Sequence, residues 1–152
     1  MRNVGFDFDG VIHTEVTHTD RNGQRHPEKG LYALPEKPFN KIIKLIKLYH
    51  QNKYNIYIIT SRTGNSRNIV MKTLFNFGLY DIIKENNIYF AGDMYGGDKG
   101  LLIEQLKISE FYDDSIYHFR SIYYKKNSIK YPKKFYLAIP ENNDIIKLKI
   151  KP

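Results

Sequence analysis

Two aspartates near the start of the chain have a spacing suited to binding a metal ion. Asp7 and Asp9 follow a short apolar run typical of a buried strand, and Gly10 after them permits a sharp turn. At a strand end, the i, i+2 spacing directs both carboxylates to one side, where they can hold a hard cation such as Mg²⁺. The backbone N–H groups of Gly10 and Val11 would then meet an anion held by that cation. A polar turn without a ligand is the alternative.

Apolar runs and helical periodicities alternate along most of the chain. Short apolar runs predict strands, and apolar residues that recur every three or four positions predict helices. The predicted strands are residues 3–8, 55–59, 88–91 and 109–112. The predicted helices are residues 39–52, 69–77 and 99–107. Such alternation favours an α/β fold, a Rossmann-like three-layer sandwich whose mainly parallel central sheet is covered by helices on both faces.

Polar residues with chemical potential recur where the predicted strands end. Asp7 and Asp9 follow the first strand, Thr60 follows the second, and Asp113 and Asp114 follow the fourth. In parallel sheets, ligands bind at the carboxyl ends of the strands. We therefore expect these five residues to converge at one edge of the sheet.

The remaining segments are assigned to the same single domain, residues 1–152, because this length suits one domain. Residues 13–38 are rich in His, Thr, Gly, Pro and charge without any sustained periodicity, which predicts an irregular loop. Residues 134–139 and 145–150 flank a polar turn and predict a C-terminal β-hairpin.

Four short motifs occur in the order found in one enzyme superfamily. They are Asp-Phe-Asp-Gly-Val at residues 7–11, Ile-Ile-Thr-Ser-Arg at 58–62, Asp-Lys-Gly at 98–100 and Phe-Tyr-Asp-Asp at 111–114. Together they resemble the haloacid dehalogenase (HAD) superfamily of phosphohydrolases over residues 3–120 or so. The resemblance implies an Mg²⁺-dependent phosphatase.

The resemblance also implies catalytic and metal-binding roles for the aspartates. Asp7 would attack phosphorus and form an aspartyl-phosphate, which splits one hard displacement into two. Asp9 would protonate the leaving oxygen and then activate the hydrolytic water. Mg²⁺ would be held by the Asp7 carboxylate, the Asp9 carbonyl and Asp113, with Asp114 in support.

Phosphoryl binding is implied for a second set of residues: Thr60, Ser61, Lys99, and the turn at Gly10 and Val11. Lys99 would also offset the charge of the crowded carboxylates, which would otherwise repel one another. Without the resemblance, Thr60 is equally typical of a strand-end cap, and Lys99 of a solvated lysine.

The sequence leaves no room for the large cap domain that many members of the family carry. Residues 13–38 are too few and too irregular for a helical cap, and residues 64–98 are used by a predicted helix and strand. The site should therefore be open, with residues 13–38 as a loop or minimal lid. Open members of the family often act on proteins or nucleic-acid ends. Residues 6–13 and 112–119 also resemble the phosphatase-like domains of RNA- and DNA-repair proteins.

Two further residues near the motifs are candidates for substrate contact. His13 is expected to form a wall of the site near the leaving group. Alternatively, His13, His18 and His26 could hold zinc with Asp20, although their spacing matches no recognised zinc site. Arg62 is expected to touch a second phosphate or an inner carboxylate, and a surface role is the alternative.

Positive charge is concentrated near the carboxyl terminus. The formal net charge is +8 over 152 residues. Residues 115–152 hold nine lysines and arginines against two acids, whereas the rest of the chain is nearly neutral. In this basic C-terminal extension, lysines alternate with tyrosines, a pattern that suits phosphates and stacked bases. A hairpin edge protected from aggregation by lysines is the alternative.

Several classes of protein are excluded by composition. The chain contains no cysteine, so disulfides, thiolate nucleophiles and cysteine-ligated zinc are impossible. No apolar run approaches the ~18 residues that a membrane helix needs, and no signal peptide is visible. We therefore expect a cytoplasmic or nuclear protein with no membrane partner.

The expected activity is Mg²⁺-dependent hydrolysis of a phosphomonoester through an aspartyl-phosphate, with nucleotides or nucleic-acid ends as candidate substrates. A phosphatase for a small metabolite is the first alternative. The second is a non-catalytic module that keeps the same fold and binds nucleic acid through its basic extension.

Overall fold

The computed structural model describes residues 1–15, 35–93, 98–124 and 130–150. Within these residues, six strands, most of them built on apolar runs, form one sheet. They are β1 (Asn3–Phe6), β2 (Asn55–Thr60), β3 (Ile88–Phe90), β4 (Glu110–Asp113), β5 (Lys134–Ile139) and β6 (Asp144–Leu148). Their order across the sheet is β3-β2-β1-β4-β5-β6. All neighbouring pairs are parallel except β5 and β6, which are antiparallel. The predicted α/β fold, with a mainly parallel sheet and a C-terminal antiparallel strand pair, is confirmed.

Four α-helices connect or follow these strands. They are α1 (Asn40–Gln51), α2 (Arg67–Asn76), α3 (Lys99–Gln105) and α4 (Ile116–Tyr124). The predicted strands and helices agree with these bounds to within about two residues. No helix was predicted where α4 lies, so the basic C-terminal extension contributes a helix as well as two strands of the sheet.

Alternating side chains of the strands enter two apolar clusters. Val4 and Phe6 of β1 lie in the first cluster, together with buried isoleucines of α1 and with Val70 and Leu74 of α2. The second cluster contains Phe111 of β4 and buried residues of α3 and α4. Because successive side chains of a strand point to opposite faces, the two clusters lie on opposite faces of the sheet.

The register of the three central strands places their carboxyl ends side by side. Phe6 of β1 lies opposite Ile58 of β2 and Tyr112 of β4. The ladder continues one step further, because the N–H of Asp7 donates to the carbonyl of Tyr112 at 2.8 Å. Parallel pairing therefore brings the residues that follow these strands to one edge, hereafter the carboxyl edge.

The two flanks of the predicted 13–38 loop lie next to each other. His13 forms an antiparallel bridge with Pro38, and the N–H of Thr14 donates to the carbonyl of Lys37 at 2.8 Å. Residues 16–34, which include most of the predicted loop or lid, lie outside the described residues.

In the described ranges, the longest helix is α1, with 12 residues. A helix needs about 20 apolar residues to cross a bilayer, and none of those described here combines that length with that character.

A pair of phenylalanines provides a test of the core. Phe111 is fully buried between Phe135 and its neighbours, whereas the side chain of Phe75 is 68% exposed. We expect Phe111→Ala to lower the free energy of unfolding by about 3–5 kcal/mol, because it leaves a cavity. Phe75→Ala should lower it by less than about 1 kcal/mol. Urea unfolding curves of both variants measure the difference, and equal losses would contradict the packing described here.

Candidate active site

Three buried carboxylates and one ammonium group meet at the carboxyl edge. The Nζ atom of Lys99 lies 2.7 Å from Oδ1 of Asp7 and 3.0 Å from Oδ2 of Asp113. Asp114 is also buried, and it lies within interaction distance of Asp7. The structure therefore brings together residues of the first, third and fourth motifs, with Lys99 between two aspartates.

Local structure explains how Lys99 reaches the aspartates. It is the first residue of α3, and the side chain of Asp98 caps this helix by accepting the N–H of Gly100 at 2.8 Å. A cation at a helix amino terminus is unfavourable, so the position of Lys99 is compensated by the carboxylates rather than by the helix. Its Nζ atom also lies 5.8 Å from the centre of the Phe111 ring.

Gly10 permits the close approach of Asp114. Its φ is +76°, in the region that favours glycine, and a Cβ atom there would lie 2.6 Å from Cγ of Asp114. Any side chain at this position would therefore displace the Asp114 carboxylate. Val11, the other predicted anion-binding residue of the turn, is buried and donates its N–H to the carbonyl of Phe8 at 3.3 Å.

Burial first, and neighbouring charges second, shift the pKa values of the three aspartates. Burial and the charge of Asp113 raise the pKa of Asp7 to about 6. Burial, Asp7 and Asp113 raise the pKa of Asp114 well above its usual range. Burial also acts to raise the pKa of Asp113, but His118 and Lys99 outweigh it and hold that pKa well below its usual range. One carboxylate is thus fixed in its ionised form while its two neighbours resist ionisation.

His118 is the imidazole partner of Asp113. Its Nδ1 atom lies 2.9 Å and 3.0 Å from the two oxygens of that carboxylate. Ligand atoms of Asp7, Asp113 and His118 lie within 4.8 Å of one another, a group of the kind that could hold a metal ion. This metal group was not predicted, because His118 follows Asp113 by five residues, across the start of a helix that was not predicted.

Asp9 lies in a second cluster, with its own cationic partner. The guanidinium of Arg62 forms two hydrogen bonds to it, from Nε to Oδ2 at 2.9 Å and from Nη2 to Oδ1 at 2.8 Å. Nε2 of His13 lies 2.8 Å from the same Oδ1. Burial opposes ionisation, but the bonds from His13 and Arg62 outweigh it and lower the pKa of Asp9. Of the alternatives for Arg62, the structure shows contact with an inner carboxylate, with 2% of the side chain exposed.

The His13 ring is completely buried and is held on its other side by Glu15. Nδ1 of His13 lies 3.0 Å from Oε2 of Glu15, whose Oε1 accepts the N–H of Lys37 at 2.9 Å. Glu15 was not among the residues predicted from sequence, although its position two residues after His13 could have indicated it. His18, His26 and Asp20, the other members of the zinc alternative, lie outside the described residues.

Thr60 and Ser61 occupy the end of β2 and the residue after it. Thr60 is buried, and its Oγ1 atom accepts the N–H of Arg62 at 3.1 Å. Thr60 thus acts as a cap at the end of the strand. The same hydrogen bond fixes the backbone of Arg62, whose guanidinium contacts Asp9. Ser61 is half-buried.

Comparison with known proteins gives one informative match. The chain is 36% identical over 147 residues to uncharacterized protein L684 of Acanthamoeba polyphaga mimivirus. The match covers 93% of this chain, which spans about 28% of the length of that relative. No protein-family model matches the chain. No solved structure matches it either.

The raised pKa of Asp7 predicts a stability effect in metal-free protein. The pKa of Asp7 is about 6 in the folded protein and 3.8 in the unfolded chain. The free energy of unfolding therefore falls as pH rises from 3.8 to 6, and at higher pH the total loss is about 3 kcal/mol. We therefore expect Asp7→Asn to raise the free energy of unfolding by up to this amount at pH 7.5 in EDTA, and by much less near pH 4.

Chemical denaturation at both pH values measures this effect. Asp81→Asn, at an exposed aspartate outside the cluster, should change stability by less than about 0.5 kcal/mol. A loss of stability in Asp7→Asn at pH 7.5 would contradict the raised pKa of Asp7 described here.

Proposed function

We propose that this protein is a Mg²⁺-dependent phosphomonoester hydrolase of the HAD type, with a Rossmann-like three-layer fold. The observation that carries the proposal is the placement of Lys99 between Asp7 and Asp113 at the carboxyl edge. Those residues belong to three of the four motifs that resemble the HAD superfamily, and they are distant from one another in sequence. A phosphoryl-transfer site needs such a combination of a carboxylate nucleophile, an ammonium group and further acidic groups.

The residues present fit a divalent cation. Asp7, Asp113 and Asp114 would carry three negative charges, and Lys99 supplies one positive charge among them. Burial and mutual repulsion raise the pKa values of Asp7 and Asp114, and a bound cation would offset both effects. Carboxylate oxygens are the ligands that Mg²⁺ prefers, and the Asp7 and Asp113 carboxylates would hold it with Asp114 in support. When bound, Mg²⁺ supplies charge neutralisation for the phosphoryl group.

Asp7 is assigned the nucleophilic role. An oxygen of its carboxylate attacks phosphorus, a new O–P bond forms, and the bond from phosphorus to the leaving oxygen breaks. Lys99 stays beside the attacking carboxylate and is positioned to bind a phosphoryl oxygen. Thr60 and Ser61, at the end of β2, are further candidates for contacts with the phosphoryl group.

Asp9 is assigned the proton transfers of the reaction. The protonated Asp9 carboxyl gives its proton to the leaving oxygen in the first step, and the carboxylate that results takes a proton from the attacking water in the second, which restores the protonated form. That water then opens the aspartyl-phosphate, releasing inorganic phosphate and restoring the Asp7 carboxylate. The lowered pKa of Asp9 keeps its carboxylate ionised in the resting protein, as the second step requires, so the proton for the first step must enter with the substrate or from solvent.

Hydrolysis of p-nitrophenyl phosphate tests the proposed activity. We expect phosphate release that depends on Mg²⁺ and falls on the order of 10³-fold or more in Asp7→Asn, because the nucleophile is lost. Asp81→Asn serves as the matched control and should keep the wild-type rate. Equal inactivity of wild type and Asp7→Asn across divalent cations and phosphoesters would contradict the proposal and favour the non-catalytic alternative.

Nucleic acid is the second candidate ligand, and the basic C-terminal region supports it. Lys133, Lys147 and Lys149, hereafter the basic patch, line a groove of about 470 Å³ at the start of β5 and the end of β6. Nζ of Lys133 lies 5.6 Å from the centre of the Tyr131 ring, a pairing that suits phosphate and base together. Lys125 and Lys126 lie outside the described residues.

The basic patch and the acidic cluster lie at opposite ends of the sheet. Lys134 lies opposite Glu110, the first residue of β4, whereas Asp113 is the last. The strand length between them is about 10 Å. A mononucleotide bound at Asp7 would therefore leave the basic patch empty, and only a longer nucleic acid would reach both.

Oligonucleotide binding tests the role of the basic patch. Replacing its three lysines by glutamine should weaken binding of a labelled single-stranded oligonucleotide and reduce the slope of log K against log salt by about 2, because phosphate contacts are lost. Fluorescence anisotropy measures both quantities. The control variant replaces three exposed lysines elsewhere, Lys44, Lys47 and Lys53, by glutamine.

Equal weakening in the two triple variants would show that only net charge matters and would contradict a specific patch. Comparing phosphate release from a mononucleotide and from a phosphorylated oligonucleotide then separates the two enzyme hypotheses. A small-metabolite phosphatase would show no preference for the oligonucleotide.

A further inference from the structure

Asp9 is held more tightly than any role as a turn residue requires. Three side-chain hydrogen bonds reach its carboxylate, two from Arg62 and one from His13, and both oxygens are engaged. Asp7, two residues earlier, instead pairs with Lys99. The two neighbouring aspartates are therefore assigned to different cations that come from different parts of the chain.

The Arg62 side chain approaches Asp9 from the end of β2, across 53 residues of sequence. Its guanidinium carbon lies 5.3 Å from the centre of the Phe8 ring. The backbone of Arg62 is fixed as well, because its N–H donates to Thr60 and its carbonyl accepts the N–H of Gly92 at 3.2 Å. A Cβ atom on Gly92 would lie 2.8 Å from that carbonyl oxygen, so the fit is close. The two hydrogen bonds from the Arg62 guanidinium therefore start from a fixed backbone and hold the plane of the Asp9 carboxylate.

The His13 side chain approaches the same carboxylate from the segment after the turn. Its ring packs edge-on against Phe8, with centroids 4.9 Å apart. Glu15 holds the far nitrogen, and Glu15 itself accepts N–H groups of Glu36 and Lys37 at 3.3 Å and 2.9 Å. The orientation of the imidazole is therefore set by backbone groups of a neighbouring segment.

Stability alone gives a weak reason for such a buried arginine–aspartate pair. Removing two charges from water carries a large desolvation cost, and apolar residues of similar volume commonly stabilise a core as well or better. Asp9 lies two residues after Asp7, the carboxylate of the acidic cluster that pairs with Lys99. Because the pair contributes little stability, we take its use to lie in the fixed direction of the Asp9 carboxylate.

We propose that Arg62 and His13 are positioning residues, which hold the Asp9 carboxylate in the direction needed for its proton transfers, and that Glu15 orients His13 for this purpose. This inference rests on the proposed phosphatase function and deepens it. Proton transfer in the transition state requires the carboxyl within hydrogen-bond reach of the leaving oxygen or of the attacking water. Arg62 acts through Asp9 and needs no contact with the phosphate.

The test compares two phosphomonoesters with different leaving groups. An acidic nitrophenol leaves with little help from a proton donor, whereas an alkyl alcohol needs one. We expect Arg62→Ala to lower kcat about 10²-fold on the alkyl ester, because a small displacement of a catalytic group has this effect. The loss on the aryl ester should be at least fivefold smaller, and KM should change by less than about threefold on both.

Conservative variants distinguish orientation from charge and from folding. Arg62→Lys keeps the positive charge but cannot make both guanidinium hydrogen bonds. It should therefore show the same ester-dependent loss of kcat as Arg62→Ala. His13→Gln keeps a side-chain N–H donor and should retain more alkyl-ester activity than His13→Leu. Arg67→Ala, at an arginine whose side chain is 46% exposed, is the matched control and should retain wild-type kinetics. Thermal unfolding of each variant identifies loss of folded protein.

Three outcomes would overturn the positioning roles. Folded Arg62→Ala and Arg62→Lys with unchanged kcat would show that Asp9 needs no such support. A large rise in KM with kcat unchanged would show that Arg62 binds substrate instead. Equal losses of kcat on the two esters would show a general structural role. If the wild type hydrolyses neither ester, the proposed function itself fails and the positioning roles fall with it, which is a distinct result.

Discussion

Two carboxylates only two residues apart are kept separate by two different cations, and the rest of the site depends on this separation. Asp7 pairs with Lys99, and Asp9 pairs with Arg62. Two neighbouring carboxylates would repel each other strongly in a buried environment unless each had a cationic partner of its own. Asp7 therefore lies within the acidic cluster, whereas Asp9 is held in one orientation by Arg62. The two carboxylates therefore differ in pKa, which is raised for Asp7 and lowered for Asp9.

Because its three central strands are parallel, the sheet places Arg62 and Asp113 at the same edge as Asp7 and Asp9. Arg62 follows β2 and lies on one side of β1, while Asp113 ends β4 on the other side. Lys99 completes the arrangement from the amino terminus of α3. An antiparallel neighbour would present its amino end at this edge instead, and the side chains of Arg62 or Asp113 would lie at the far end of the sheet. Strand direction therefore matters here as much as residue type.

Strong local patterns explain how much of this arrangement could be predicted from sequence. The strand that precedes Asp7 and the helix that follows Asn40 have clear periodicities, and strand ends in a parallel sheet must coincide. The pairing of Arg62 with Asp9 spans 53 residues, and nothing in the local pattern distinguishes it from a surface position. Helix α4 escaped prediction although Phe119 and Ile122 have helical spacing, because lysines and tyrosines dominate its surroundings. His118 was consequently not connected with Asp113.

Among the described residues, the basic patch and the acidic cluster lie at opposite ends of the sheet and so separate charge along the strands, which is an electric dipole. Such a dipole orients an approaching anion before any contact forms, and it does so over about one Debye length, roughly 8–10 Å at physiological salt. The lysine end attracts phosphate, whereas the carboxylates at the other end offer an anion no such attraction unless a cation or a proton offsets their charge. For the proposed activity, this distribution of charge would favour binding of the cation before the anion.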